Sequence, residues 1–261
     1  MSPAGDGRPT MDTPVADPAE IARFARARQD VLARIAEACA RSRRDPSAVA
    51  LVAVSKAVPA ERVRAALAAG QSTFGENRVQ EGEDKRPIVG AGTWHLIGPL
   101  QGNKARRAIE AFDVVESVDS IDLARRLDRL VREVRGLDPA GPVDEGRRLP
   151  LLLQVNVDAD EAKAGFTRGS LATALPELVS LGALRLNGLM TIGRLVEDPE
   201  DARPTFRRLS ALAAEMRVRA PALGPELSMG MSDDYPVAVE EGATIVRVGR
   251  ALFGDRPVAV R

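Results

Sequence analysis

The sequence predicts a parallel α/β fold closed into a single (β/α)8 barrel, with one helix added in front. Three observations predict it. Eight short apolar runs rich in β-branched residues recur along the chain, interleaved with segments of helical spacing. Most of these runs are continuous rather than alternating, as in strands whose two faces are both covered. Eight such units within 261 residues suit one barrel, which typically takes about 250 residues, better than an open doubly wound sheet.

Residues 1–15 are rich in Pro, Gly, Asp and Thr and read as a disordered tail, leaving 16–261 for the barrel domain. Asp17 caps the leading helix, Pro18 fits its first position, and Glu20 supplies the capping-box carboxylate. Ile21, Phe24, Val31, Leu32, Ile35 and Cys39 share one apolar face, so Cys39 reads as core rather than as a reactive thiol. The helix ends in the basic run 41–44, which complements the macrodipole. The first strand, 51–56, ends on Lys56; a helix over 59–69 follows and stops at Gly70. A second strand over 72–75 runs into Glu76 and Asn77. The third, 94–98, leads to a helix opened by 99–104. The fourth is 113–117, and Ser120 caps a long amphipathic helix to about residue 135. Residues 136–149 read as an inserted loop away from the ligand end. The fifth strand is 151–157 with a helix over 170–181, the sixth 186–190 with a helix over 199–217, and the seventh 226–229 with a helix over 233–242. The eighth, 244–249, is closed by a short helix at 251–253.

Composition narrows the function. The 37 basic and 37 acidic residues balance and aromatics make up only 3%, so neither a nucleic-acid footprint nor a base-stacking surface is indicated. No apolar run reaches membrane-spanning length, and the N-terminus lacks a signal-peptide layout. One Cys and one His exclude an internal disulfide and disfavour a zinc site, so no metal is expected. These features predict a cytoplasmic protein.

In a barrel the chemistry lies at the carboxyl ends of the strands. Lys56 stands at the first of them. Of the 37 lysines and arginines only four are lysine (Lys56, Lys85, Lys104 and Lys163), so a lysine at a strand end suggests chemistry that arginine cannot perform. A desolvated lysine can lose its proton and form a Schiff base with a carbonyl; a lysine that simply snorkels to solvent fits the same position. The loops after strands seven and eight are where barrels often bind phosphate. Here Ser228, Met229 and Gly230 offer a hydroxyl and close backbone approach, and Gly249 and Arg250 offer N–H groups. A Schiff-base lysine beside a phosphate site leaves two ligands open, pyridoxal 5′-phosphate or a phosphorylated sugar as in a lysine-dependent aldolase. The aldolase needs an acid/base near its lysine, for which Glu76, His95, Asp158 and Asp233 are candidates. No Gly-x-Ser-x-Gly elbow supports a triad on His95, which reads as hydrogen-bonded within the barrel. Gly90-Ala91-Gly92 precedes a strand instead of following one, against a dinucleotide fingerprint, and Asp233-Asp234 suits a helix first turn.

Several of these stretches together resemble the YggS/PROSC family of pyridoxal-phosphate homeostasis proteins. They are Val52–Lys56, Phe74-Gly75-Glu76-Asn77 with Val79-Gln80-Glu81, Trp94–Gln101 with Asn103-Lys104, and Ser117-Val118-Asp119. Leu189-Met190 with Ile192, Leu227–Ser232 and Val246–Gly249 complete the set. The resemblance implies a single-domain barrel of the alanine-racemase N-terminal type, with Lys56 as the cofactor lysine. It further implies Arg247 facing the pyridine nitrogen, Asn77 near the ring, and Ser228, Gly249 and Arg250 on the phosphate. An arginine opposite the nitrogen disfavours the pyridinium and weakens the ring as an electron sink. Family members bind the cofactor and maintain its pool and amino-acid balance, so the implied protein is a monomeric carrier rather than an enzyme, with apoenzymes as recipients. A racemase is the alternative. It needs a second base opposite the lysine and in alanine racemases a further β domain, whereas this chain ends at Arg261, shortly after Phe253. Two positions depart from the family pattern: Arg250 where threonine is common, and Arg78 where an aromatic is common.

Overall fold

The computed structural model describes residues 16–254 apart from Leu195; the expected tail at 1–15 lies outside the described residues. Eight parallel strands close into a barrel in chain order: β1 (Ala50–Val54), β2 (Thr73–Glu76), β3 (Thr93–Leu96), β4 (Val114–Val118), β5 (Leu149–Gln154), β6 (Leu184–Met190), β7 (Glu226–Ser228) and β8 (Ile245–Val248). The expected barrel is therefore present. Closure is made by β1 against β8, with Val52 opposite Arg247 and Ala53 opposite Val248.

Around the strands lie α1 (Pro18–Ser42), α2 (Ala60–Ala68), α3 (Val79–Val89), α4 (Ala105–Ala111), α5 (Ile121–Val134), α6 (Arg168–Ser180), α7 (Arg203–Arg219), α8 (Tyr235–Glu240) and α9 (Arg250–Phe253). The Asp17 carboxylate accepts from the Ala19 N–H and starts α1; Arg43, in the left-handed region, stops it. Phe24, Val31, Ile35 and Cys39 are all buried, and burial pushes the Cys39 thiol pKa up. This helix packs on α2, α8 and α9, with Phe24 and Phe253 ring centroids 5.1 Å apart. The α9 helix is only four residues long, so α1 supplies the cover that the β8–β1 seam otherwise lacks.

The period-2 pleat sorts the strand residues into two layers. Ala53, Phe74, Trp94, Leu189 and Val246 join the outer core beneath the helices. Val52, Val114, Leu152, Met190 and Ile245 form a separate cluster inside the barrel.

The sequence reading missed α3. Five of its eleven residues are charged and Pro87 lies inside it, so no apolar periodicity announces it. The structure supplies the reason it forms. Lys85 is turned inward and buried, making contacts with β1 and β2 that no propensity records. The fifth strand is shorter than expected, ending at Gln154, with Val155 making only an isolated bridge to Phe166. The loop before β5 contains one 3-10 turn, Glu145–Arg147, and enters the strand from its amino end.

At the exit of β3, Gly98 lies so close to Asn77 that a Cβ there would meet the Asn77 carbonyl oxygen at 2.2 Å. Gly98→Ala is expected to cost about 2 kcal/mol or more in urea unfolding, because the atom it meets is backbone and cannot swing away. Gly146→Ala, which meets nothing within 4 Å, is expected to stay within about 0.5 kcal/mol of wild type.

Candidate functional site

The site is built from three neighbouring strands. Lys56 leaves the carboxyl end of β1, half-buried, in a turn closed by the Val58 N–H donating to the Ser55 carbonyl at 2.9 Å. Beside it β8 carries Arg247, and beside that β7 ends in Ser228. The loops after β7 and β8 are tied together twice. The Arg247 N–H donates to the Gly230 carbonyl at 3.1 Å, and the Gly249 N–H donates to Ser232 Oγ at 3.2 Å. Gly230 adopts φ +90°, where a side chain would be strained and its Cβ would meet Ala238 and Tyr235 at 2.6 and 2.9 Å.

The interior carries a buried polar line. Arg247, 5% exposed, donates from Nη1 to Ser228 Oγ at 2.5 Å and from Nη2 to the Thr191 carbonyl at 2.8 Å. Ser228 Oγ donates in turn to Glu116 Oε2, and His95 Nδ1 lies 2.5 Å from Glu116 Oε1. Burial pushes the Glu116 carboxyl pKa up, but the His95 hydrogen bond, the charges of His95 and Arg247, and the Ser228 hydroxyl outweigh it and hold the group below its ordinary range. Burial lowers the pKa of Arg247, against which Glu116 and Asp234 act. A guanidinium stays charged through such a shift, so a permanent cation stands in the barrel interior.

The expected site residues are thus distributed unevenly. Lys56, Gly230, Arg247 and Gly249 come together at the mouth on β1, β7 and β8. Asn77 follows β2, half-buried, against Gly98. Arg250 is exposed and ion-paired with Asp233. Met229 is wholly buried in the outer core, its N–H donating to the Ile245 carbonyl. Ser228 requires the main revision. Its hydroxyl is 0% exposed and committed between Arg247 and Glu116, whereas the hydroxyl that reaches the loop after β8 belongs to Ser232. The four acid/base candidates are also engaged. His95 meets Glu116, Asp233 meets Arg250, and Asp158 accepts from Thr205 and Arg208. Glu76 faces the helix layer and accepts from Lys85 Nζ and Ser55 Oγ, each at 2.7 Å. Glu116, Thr191 and Ser232 were not singled out as site groups; Thr191 and Ser232 lie beyond the ends of β6 and β7, which was the available signal, whereas Glu116 lies inside β4 and is marked only by its inward register. Among the described residues no group of three or more His, Cys, Asp or Glu side chains could hold a metal, and no helix is long and apolar enough to cross a membrane.

Burial pushes the Glu76 carboxyl up to about 7 despite Lys85, whose charge and hydrogen bond work the other way. The ordinary value, 4.5, is that of the unfolded chain. The folded state therefore binds the proton more tightly. This contribution to stability is complete below about pH 4.5 and is lost as pH rises through 7. Glu76→Gln cannot lose it, so its stability relative to wild type is expected to improve by roughly 3 kcal/mol between pH 4.5 and 7.5 in urea titrations. A pH-independent difference would contradict the assignment.

Comparison with known proteins agrees with this architecture. The alanine racemase N-terminal domain family matches residues 20–257. A pyridoxal phosphate homeostasis protein of Synechocystis is 41% identical over 214 residues, spanning 81% of this chain and 93% of the relative. The structure of PipY from Synechococcus elongatus with pyridoxal phosphate bound is 45% identical, with a TM-score of 0.71 over 84% of this chain and all of that one. An alanine racemase of Clostridium difficile shares the fold alone, at 15% identity and TM-score 0.65, and the match spans 88% of this chain and 58% of the racemase. With a family model matching nearly the whole chain and relatives this close over most of their length, the chain belongs to the family of pyridoxal phosphate homeostasis proteins, built on the alanine racemase N-terminal domain.

Proposed function

We propose that this protein binds pyridoxal 5′-phosphate in the barrel mouth, joined as a Schiff base to Lys56, and serves to hold and hand on the cofactor rather than to turn over a substrate. The observation that carries the reading is the convergence on adjacent strands of three groups that the cofactor's chemistry asks for. Lys56 offers a primary amine for the aldehyde carbon; the amine nitrogen bonds to that carbon and the aldehyde oxygen leaves as water. The loops after β7 and β8 are joined by the Gly249 N–H donating to Ser232 Oγ, and a phosphate there would accept from the Ser232 hydroxyl and compete with Asp233 for Arg250. Arg247 supplies a fixed cation from β8.

The bound cofactor would supply an aldehyde and an aromatic ring able to accept electrons. The protein's own residues limit the second property. Arg247 stays protonated, so a second positive charge on a ring nitrogen beside it is disfavoured. Its orientation is fixed by Ser228, Thr191 and, through Ser228, Glu116. Racemisation needs a second base opposite the lysine. Glu76, His95, Asp158 and Asp233 are each engaged by other partners, which favours the carrier. The relatives' names point the same way, since they are homeostasis proteins. All proposed contacts come from one chain, so a monomer suffices. A cytoplasmic setting, with cofactor-requiring apoenzymes as recipients, completes the reading, and the buried free thiol of Cys39 suits such a setting.

Two measurements test this. Titration with pyridoxal phosphate is expected to produce a visible absorption band, and borohydride should fix the label on Lys56, as located by peptide mapping. Lys56→Ala should show neither, and a wild-type protein that takes up no cofactor would refute the proposal. Ser232→Ala is expected to weaken cofactor affinity roughly tenfold or more, the size of a lost hydrogen bond to a charged group. Ser228→Ala should instead lower stability by about 1–3 kcal/mol, because it leaves Arg247 and Glu116 without their bridge.

A further inference from the structure

Two side chains of α3, on the outer side of the strands, bond to the backbone on either side of Lys56. Lys85 Nζ donates to the Ser55 carbonyl at 2.7 Å, on the amino side of Lys56. Glu81 Oε2 accepts from the Ala57 N–H at 2.8 Å, on its carboxyl side. The two side chains hold each other as well, Lys85 donating to Glu81 at 3.1 Å and to Glu76 at 2.7 Å. Ser55 Oγ donates to the same Glu76 oxygen at 2.7 Å.

Two further facts suggest a fixed geometry. Ala57 sits at φ +60°, a left-handed conformation that an alanine adopts only at a cost. The bond from its N–H to a carboxylate is what offsets that cost here. Lys85 spends its three ammonium protons on three acceptors, the Ser55 carbonyl, Glu76 and Glu81. A compact tetrahedral ammonium meets that set, whereas a planar guanidinium does not. In a chain with only four lysines among 37 basic residues, this explains why a second lysine stands so near the first.

We propose that Glu81 and Lys85 are positioning residues that clamp the peptide groups on both sides of Lys56 and so set the direction in which its amine enters the barrel. The proposal rests on the reading of Lys56 as the cofactor lysine. Neither Glu81 nor Lys85 touches the cofactor in it.

The test uses the full chain and pyridoxal phosphate as the probe, with two readouts: affinity from the absorption titration, and exchange of the Ala57 amide hydrogen in cofactor-free protein. Glu81→Ala and Lys85→Met are each expected to weaken affinity roughly tenfold, the usual size of losing a contact that orients a liganding residue. Glu81→Ala should also speed Ala57 exchange. Lys85→Arg should not restore binding. Ala57→Gly added to Glu81→Ala should restore most of it, because glycine takes the left-handed turn without the clamp. If Lys85→Met fails to fold, Glu81→Gln decides. It keeps an acceptor for Ala57 but gives up the ion pair, and should still lose affinity. Wild-type affinity and unchanged Ala57 exchange in the Glu81 variants would overturn the clamp while leaving Lys56 in place. A wild-type protein that bonds no cofactor through Lys56 would remove both the function and the clamp.

Discussion

Closure of the barrel by β1 against β8 is the constraint on which the rest depends. It joins strands from opposite ends of the chain, and it sets Val52 opposite Arg247. Only then do the exit of β1, with Lys56, and the loop after β8, with Gly249, share one rim. The seam is also where the helix layer is thinnest, since α9 is a single turn. The added helix α1 covers it with Phe24, Val31 and Ile35, and burial of each such side chain contributes roughly 1.5–3 kcal/mol. Ion pairs of Arg62 with Glu20, and donation by Arg62 to the Phe253 carbonyl, fasten α2 to α1 and α9 across the same line.

A second constraint is charge taken out of water. Arg247 and Glu116 are both almost wholly buried, with their nearest N–O distance 3.9 Å and Ser228 bridging them. Such groups are tolerable only as a satisfied network, because removing one partner leaves the other desolvated and unpaired. The position of Arg247 is therefore held from three sides, by β4, β6 and β7, before any ligand arrives. On the outer side of β1 and β2, the Lys85 cluster follows the same rule. Its charges are paired with each other and with the backbone of the turn that carries Lys56. The two networks lie on opposite sides of the strand wall. One orients the interior cation, and the other holds the backbone of the amine-bearing residue.

This division bears on function. A barrel of the alanine racemase type can support chemistry on amino acids or can keep a cofactor. The difference lies in side chains at the mouth and not in the fold. Here His95 is drawn to Glu116, Asp158 to Thr205 and Arg208, and Asp233 to Arg250. In the proposed reading, the groups left for a ligand are the Lys56 amine, the joined loops after β7 and β8, and the fixed cation of Arg247.

The order of strands, the barrel, and Lys56 at a strand end were all legible in the sequence. Burial on both faces of a parallel strand leaves continuous apolar runs, and strand exits are where such folds present chemistry. The helix α3 was not legible, because Pro87 and its run of charged residues mask it and its reason for forming, the inward turn of Lys85, is a long-range contact. Ser228 and Ser232 could not be told apart by type. The ladder runs through Ser228 and points its hydroxyl into the barrel, whereas Ser232 lies beyond the strand, in the loop. By itself the sequence determined the alternation of strands and helices and the residue types available at the mouth, because periodicity and composition are local properties. Only the tertiary structure decided which of those residues are committed to each other, because a hydrogen bond such as that between Ser228 and Glu116 exists only after closure brings distant strands within 3 Å.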